Sequence, residues 1–272
     1  QFIAQFRIAL TSSTCVYTIV QMACTSRQQF DLSALTFVDW GSRMAEAITG
    51  ISSMATRQIL AELGSAFQKK TGQIVAIESV GGVDAAKRVR AGAALDIVAL
   101  ADDVMRQLDA DGLLRPGTRT GFATSAMAVA VRAQASRPDL SSEASLKAAV
   151  LAARSIGYST GPSGTHMLGL LRRWGIEQAV SDRLVKASPG VPVATLVARG
   201  EAELGFQQLS EFLDVPGIVI AGPLPPEVQS VTLFSCAVCT TATNAAGARD
   251  LIRYLTSAEA DASKRRHGME PA

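Results

Sequence analysis

The sequence predicts an α/β fold assembled from parallel βαβ units. Two observations carry that expectation. From Met44 onward, short β-branched runs alternate with longer amphipathic segments, the pattern of strands crossed over by helices. The 272 residues are 48% apolar but only 5% aromatic, so Ala and Val must fill the interior, as in a sheet covered by helices. Gly (22) and Pro (10) are at ordinary globular levels, which removes collagen-like and disordered readings.

The elements follow in order. An apolar run at 47–52 ending on Ser52 reads as the first strand. Residues 56–72 read as a helix, with Ile59, Leu60, Leu63 and Phe67 at helical spacing and Gly72 as its stop. The β-branched stretch 73–78 is a strand, and the turn at 79–83 opens a helix over 84–91 closed by Gly92. A buried strand at 96–101 leads into a helix at 102–111 with acids in its first turn. Further strands are expected at 126–132, 155–159, 204–208, 217–221 and 231–239, with helices at 146–154, 166–174, 193–199, 245–255 and 258–267. No Gly/Ser tether separates two parts, so any hinge is made of strands, and the long apolar stretches 122–131 and 223–236 are the candidates.

Residues 1–43 lack this periodicity. The run 8–23 is apolar behind Arg7, as in a secretory leader, but Thr11, Ser12, Ser13, Thr14, Thr18 and Gln21 interrupt it. Two expectations stand side by side. If residues 1–24 act as a degraded signal, the protein is periplasmic. If 1–43 is an extension outside the fold and Met44 is the true start, it is cytoplasmic.

Composition excludes several functions. Lys plus Arg is 26 and Asp plus Glu is 24, a net charge of +2, so there is no basic face for a phosphate backbone and no nucleic-acid partner is expected. Four cysteines are too few for a disulfide framework. Cys236 and Cys239 are spaced C-x-x-C within a strand, where residues three apart point to opposite faces and cannot share a metal or a disulfide. With only His166 and His267, no multi-histidine metal site is expected, and no cofactor motif is present.

The chemistry concentrates at three strand-to-helix turns. Residues 51–56 place Ser52 and Ser53 at a helix start. Residues 79–83 place Gly81, Gly82 and Val83 at the next, and 161–166 place Ser163, Gly164, Thr165 and His166 at the third. A helix N-terminus leaves four N–H donors unpaired and carries about half a positive charge, so it binds anions without Lys or Arg. Ordinary capping by Ser and Thr is the competing explanation of any one turn. His166 is a candidate base or donor beside the anion turns, or a structural histidine.

These stretches, with Ala86-Lys87-Arg88, Asp96-Ile97-Val98, the run from Leu196 to Gly205 and the tail from Leu255 to Gly268, give residues 48–272 a resemblance to the periplasmic molybdate-binding proteins. Those are type II solute-binding proteins of ABC importers, and aconitate-isomerase-like enzymes are among their relatives. The resemblance implies two α/β lobes, each with a mostly parallel sheet flanked by helices, joined by two crossing strands: 44–123 plus 236–272 as one lobe and 124–235 as the other. It implies a monomer that closes on a small anion in the cleft, with an importer's membrane subunit as partner. The family grips its oxyanion with serine hydroxyls, backbone amides and a tyrosine. By position the first serine falls at Ser52 or Ser53 and the second on Gly82 or Val83. The backbone amides fall at Ser163 or Gly164 and at Val191, and the tyrosine within Phe206-Gln207-Gln208, on Gln208. Two hydroxyl donors are thereby absent, and each hydrogen bond to a charged group contributes about 1.5–3 kcal/mol. The Gly-Gly turn and the Gln207–Gln208 pair therefore shift the expectation from molybdate toward a larger, partly planar organic acid. The alternative is an isomerase of an unsaturated tricarboxylate, with His166 or Glu78 as base and Ser163, Gly164 and Thr165 holding a carboxylate.

Overall fold

Strand β3 (Ile97–Ala101) shows how the sheet is covered. Ile97, Ala99 and Ala101 enter one apolar cluster and Val98 and Leu100 another, so successive side chains feed helices on opposite faces. The structure, a computed structural model, describes residues 47–188 and 190–272. The expectations for 1–43, a leader within 1–24 and a start at Met44 lie outside the described residues.

In the N-terminal half, β1 (Ile48–Ser53) pairs in parallel with β2 (Val75–Val80) and β3. Helix α1 (Arg57–Thr71) connects β1 to β2, α2 (Gly82–Arg90) connects β2 to β3, and α3 (Asp102–Ala110) follows β3. The four apolar residues expected to face inward from α1 are all buried, and Gly72 ends the helix at φ +76°, where a Cβ would be strained.

The long strand β4 (Thr120–Arg132) enters the second half. There α4 (Glu143–Ala152), β5 (Ile156–Tyr158), α5 (Pro162–Arg173), α6 (Glu177–Val180) and β6 (Leu184–Lys186) are followed by α7 (Val193–Arg199), β7 (Leu204–Gln208), α8 (Leu209–Phe212) and β8 (Ile218–Pro223). Strand β5 pairs in parallel with β6 and β7. The chain returns through β9 (Val231–Val238) to α9 (Ala245–Leu255), α10 (Asp261–Arg266) and β10 (Glu270–Pro271).

The strand order is β2-β1-β3-β9-β4-β7-β5-β6, with β8 and β10 also on β4. Every antiparallel ladder involves β4 or β9, whereas the ladders outside these two strands are parallel. The expected α/β architecture with parallel units in each half is therefore present, and its antiparallel component comes from the strands that run between the halves.

The buried side chains divide accordingly. Phe122 and Ala123 of β4 and Phe234 and Cys236 of β9 pack with α1 and α9. Met127, Val129 and Val131 of β4 pack with α4 and α5. Between these groups β4 and β9 run paired, Thr124 opposite Leu233 and Ser125 opposite Thr232. Cys236 lies in the cluster under α1 and Cys239 in the one under α2 and α3, on opposite faces as the strand period requires. Burial pushes both thiols up to about 12.

Several elements differ in extent from the sequence expectation. Strand β4 begins at Thr120 rather than 126, because its first residues are held by β9 and β10, far away in sequence. Helix α5 begins at Pro162 rather than 166, with proline in the first turn where its missing N–H costs nothing. The short elements α6, β6, α8 and β10 carry too few residues for a period to show.

The C-terminal helix is tied to α1 through Glu62, which accepts from Ser263 Oγ (2.6 Å), His267 Nε2 (2.7 Å) and Arg266. The Ser263 and His267 hydrogen bonds bring this carboxyl down from 4.5 to about 2. A carboxylate lowered on folding stabilises above its unfolded value and loses that contribution as pH falls through the folded one. Stability should therefore drop between about pH 4.5 and 2, and Glu62→Gln should flatten that part of a denaturation-midpoint-versus-pH curve; an unchanged slope would remove Glu62 from the account.

Candidate functional site

Six strands end on one cavity of about 590 Å³. The carboxyl ends of β1, β2 and β3 bring Ser53, Gly81 to Val83 and Ala101 to it, and those of β5, β6 and β7 bring Ser159 to Ser163, Ala187 to Val191, and Gln207 and Gln208. This is where open α/β sheets bind ligands, because strand-to-helix turns gather there. Phe234 of β9 lines the same cavity.

The helices that open on this cavity share one property. None has a side-chain cap at its N-terminus: Gly81 precedes α2, Ala101 precedes α3, Gly161 precedes α5, Pro192 precedes α7 and Gln208 precedes α8. The single turn of 3-10 helix after Ser53 is uncapped too. Away from the cavity the starts are mixed: Ser142 and Asn244 accept from the backbone N–H of Ser145 and Gly247 to cap α4 and α9, while α6 and α10 have no side-chain cap. Ordinary capping by Ser and Thr does not account for the cavity turns. No capping side chain takes their first amides, although in α7 the Ala194 N–H donates to the Gln207 side chain from β7.

Ser53 lines the cavity, whereas Ser52 is fully buried, its hydroxyl 2.8 Å from that of Ser79. A Cβ on Gly82 would stand 3.9 Å from the Ser53 Cβ, so the first two turns lie in van der Waals reach of each other. At the third turn Ser163 and Thr165 line the cavity. Gly164 does not; a Cβ there would come within 1.7 Å of the Ser159 carbonyl oxygen, which is why the turn needs glycine. The Ser163 hydroxyl is 3.3 Å from that of Ser159. Val191, Gln207, Gln208 and His166 are in the lining as well.

Glu78 is not. Its carboxylate pairs with Arg88 at 2.7 Å and is largely exposed. His166 has its Nε2 2.8 Å from the Val228 carbonyl oxygen, a contact that makes Nε2 the protonated nitrogen and leaves Nδ1 as acceptor. Among the described residues that line the cavity, Lys87 is the one Lys or Arg, and it is 72% exposed and 3.9 Å from Asp84. An anion here meets amides and hydroxyls rather than a cationic cluster.

Sequence reasoning missed Glu211. It sits in the single turn of α8, directly after the Gln pair, and its carboxyl lines the cavity. Gln207 Nε2 donates to Glu211 Oε1 at 2.7 Å, while Gln207 Oε1 accepts from the backbone N–H of Ala194 in α7. Burial pushes the Glu211 carboxyl up to about 7, against the lowering effect of Gln207 and the Gln208 backbone. Gln208 donates to Thr232 Oγ1 of β9 at 2.8 Å, and its buried amide oxygen has no partner among the described residues. Ser159, Thr160 and Ser188 are further hydroxyls in the lining. Ser159 and Thr160 stand directly before the Gly161 turn, and that adjacency was the available signal. Glu211 gave none, because one polar residue in one helical turn has no period.

A carboxyl raised on folding loses stability as pH rises from its unfolded to its folded value. For Glu211 the window is about pH 4.5 to 7. Glu211→Gln should therefore melt progressively higher than the parent as pH goes from 5 to 8, by several degrees at the upper end; an advantage that shrinks with rising pH would contradict the burial account.

Comparison with known proteins places this geometry in context. The profile of the bacterial extracellular solute-binding proteins matches residues 48–270. An aconitate isomerase from Pseudomonas sp is 33% identical over 230 residues, 82% of this chain and 87% of that protein. The periplasmic molybdate-binding protein of Azotobacter vinelandii superposes with a TM-score of 0.70 at 21% identity, covering 82% of this chain and 98% of that one. AgtB from A. tumefacien R10, in complex with agropinic acid, gives 0.64 at 16% identity over 84% and 83% of the two chains.

Proposed function

This chain belongs to the bacterial extracellular solute-binding protein family, and we propose that its cavity captures a small organic-acid anion as the two halves close around it. The observation that carries the proposal is the set of uncapped helix starts converging from both halves, with Ser53, Gly82, Val83, Ser163, Thr165 and Val191 in the lining. Their amides and hydroxyls supply donors without a fixed cation, so binding and release differ by modest energies. Ser52 and Gly164 support the turns from behind, and Gln207 and Gln208 fill the place where a donor-only oxyanion site would want hydroxyls.

An organic acid fits better than a bare oxyanion for two reasons. The Gln208 amide oxygen is an acceptor and repels an oxyanion that offers no hydrogen. The cavity of about 590 Å³ also exceeds what a tetrahedral oxyanion fills. Closure about β4 and β9 is the motion the capture reading needs, with the Gln208–Thr232 hydrogen bond tying the cavity floor to the crossing strand. This reading goes with a monomer, a periplasmic location and an ABC importer's membrane subunit as partner.

A second reading is favoured by one observation, the Glu211 carboxyl in an anion cavity. A carboxylate there opposes capture of a negative ligand, so it calls for work beyond binding. The aconitate isomerase relative supplies the matching activity class, a shift of a double bond in an unsaturated carboxylic acid.

A thermal-shift series with molybdate, tungstate, sulfate, citrate and cis- and trans-aconitate tests the binding proposal. A ligand at a hundredfold its Kd adds about 2.7 kcal/mol, or about 5–10 °C for a unit of this size. Organic acids should give that shift and tetrahedral oxyanions should not. Ser163→Ala should weaken the best ligand about tenfold, the loss of one hydrogen bond to charge. Equal shifts from molybdate would end the organic-acid assignment, and no shift from any anion would end capture itself.

A further inference from the structure

The geometry points to Glu211 as the proton-transferring residue of the cavity, its carboxylate taking an allylic proton from a bound unsaturated carboxylic acid and returning it to the far carbon of the same allyl unit. This rests on the second reading above and adds to it the group that performs the step.

Three features of the site separate Glu211 from the other titratable groups. The first is orientation. Gln207 is clamped by the Ala194 N–H on its amide oxygen, so its amide NH₂ must face Glu211 and holds Oε1 at 2.7 Å. The Gln208 backbone hydrogen-bonds the same carboxyl, so the group is held from the end of β7 at the cavity wall. The second is access. Glu211 is only partly buried and belongs to the lining, whereas Glu78 is engaged by Arg88 outside it. Asp84 and Asp103 also line the cavity, but Asp84 is 3.9 Å from Lys87 and Asp103 is exposed to solvent. The third is a shared space. The uncapped starts of α2 and α5 line the same cavity as Glu211, so carboxylates held there would keep the carbon chain within the space that Glu211 also lines. A carboxyl near neutrality both accepts and returns a proton without a large energy step, which suits a reversible shift. His166, with Nε2 committed to the Val228 carbonyl, offers Nδ1 as the competing base.

The step balances within the ligand and Glu211. The allylic C–H bond breaks, its proton goes to the Glu211 carboxylate, and its electron pair forms a double bond to the central carbon. The former π pair moves through the distal carbon onto the carboxylate attached there, and amides at the helix starts stabilise that added charge. The distal carbon then takes the proton from Glu211, the electron pair returns to form the new C–H bond, and the carboxylate is regenerated. One proton has crossed three carbons, and no co-reactant is consumed.

The test uses the full chain with cis- and trans-aconitate in D₂O. Isomer interconversion and deuterium entry are read by proton NMR, and binding is read by calorimetry. The parent should interconvert the isomers. Glu211→Gln, whose amide oxygen can still accept from Gln207, should keep binding within about tenfold while turnover falls about a thousandfold. Glu211→Asp, with the carboxyl set back by one carbon, should fall between the two, which guards against a Gln variant that merely misfolds. Turnover in Glu211→Gln within tenfold of the parent, or its loss in His166→Ala alone, overturns the assignment. A parent that binds the acids but neither interconverts nor exchanges them overturns proton transfer and leaves capture standing. A parent that shows no binding heat with either acid overturns both.

Discussion

The meeting of several helix N-termini that lack a side-chain cap at one cavity is the constraint around which this molecule is arranged. Each helix start exposes N–H groups, and folding ordinarily satisfies some of them with a Ser, Asn or Asp side chain. Here Ser142 and Asn244 do so for α4 and α9, while the helices that meet at the cavity begin on Gly81, Ala101, Gly161, Pro192 and Gln208, four of which are glycine, alanine or proline. The donors that those starts leave free are the ones a ligand can use. Parallel pairing in each half is what puts all of them at one edge, since every parallel strand must deliver its helix from the same end.

The two long strands β4 and β9 make this edge a single site. Each carries core residues of both kinds or reaches both halves, and their paired segment around Ser125 and Thr232 is the link between the two sets of buried side chains. Polar ties converge on it: Gln208 to Thr232, the Ser125 hydroxyl to that of Ser210, and the Gln229 amide to the Met127 carbonyl. Through the first of these, the cavity-lining residue Gln208 is joined directly to a crossing strand.

Glu211 complicates a pure binding role in an instructive way. Its neighbours lower its proton affinity and its burial raises it further, so the carboxyl rests near neutrality instead of being fully charged. In that state it neither repels an anion as strongly as an ordinary carboxylate nor donates as freely as a hydroxyl. Backbone amides that can hold a carboxylate can also stabilise charge developing on one, so this fold by itself does not separate a receptor from an enzyme.

The sequence by itself determined the α/β class, the order of its main helices and strands, and the three strand-to-helix turns that meet at the cavity, because these rest on local periodicity and on glycine and hydroxyl spacing. The helices at Val193–Arg199 and Ala245–Leu255 and the strand at Leu204–Gln208 were legible residue for residue. The opposite facing of Cys236 and Cys239 followed from the strand period alone. Only the tertiary structure decided which of Ser52 and Ser53 faces the cavity, that Glu78 turns away to Arg88, that β4 starts at Thr120, and that Glu211 is brought beside Gln207. Each of these depends on a partner far along the chain or on which side of a strand end a single residue falls, and neither leaves a period in the sequence to read.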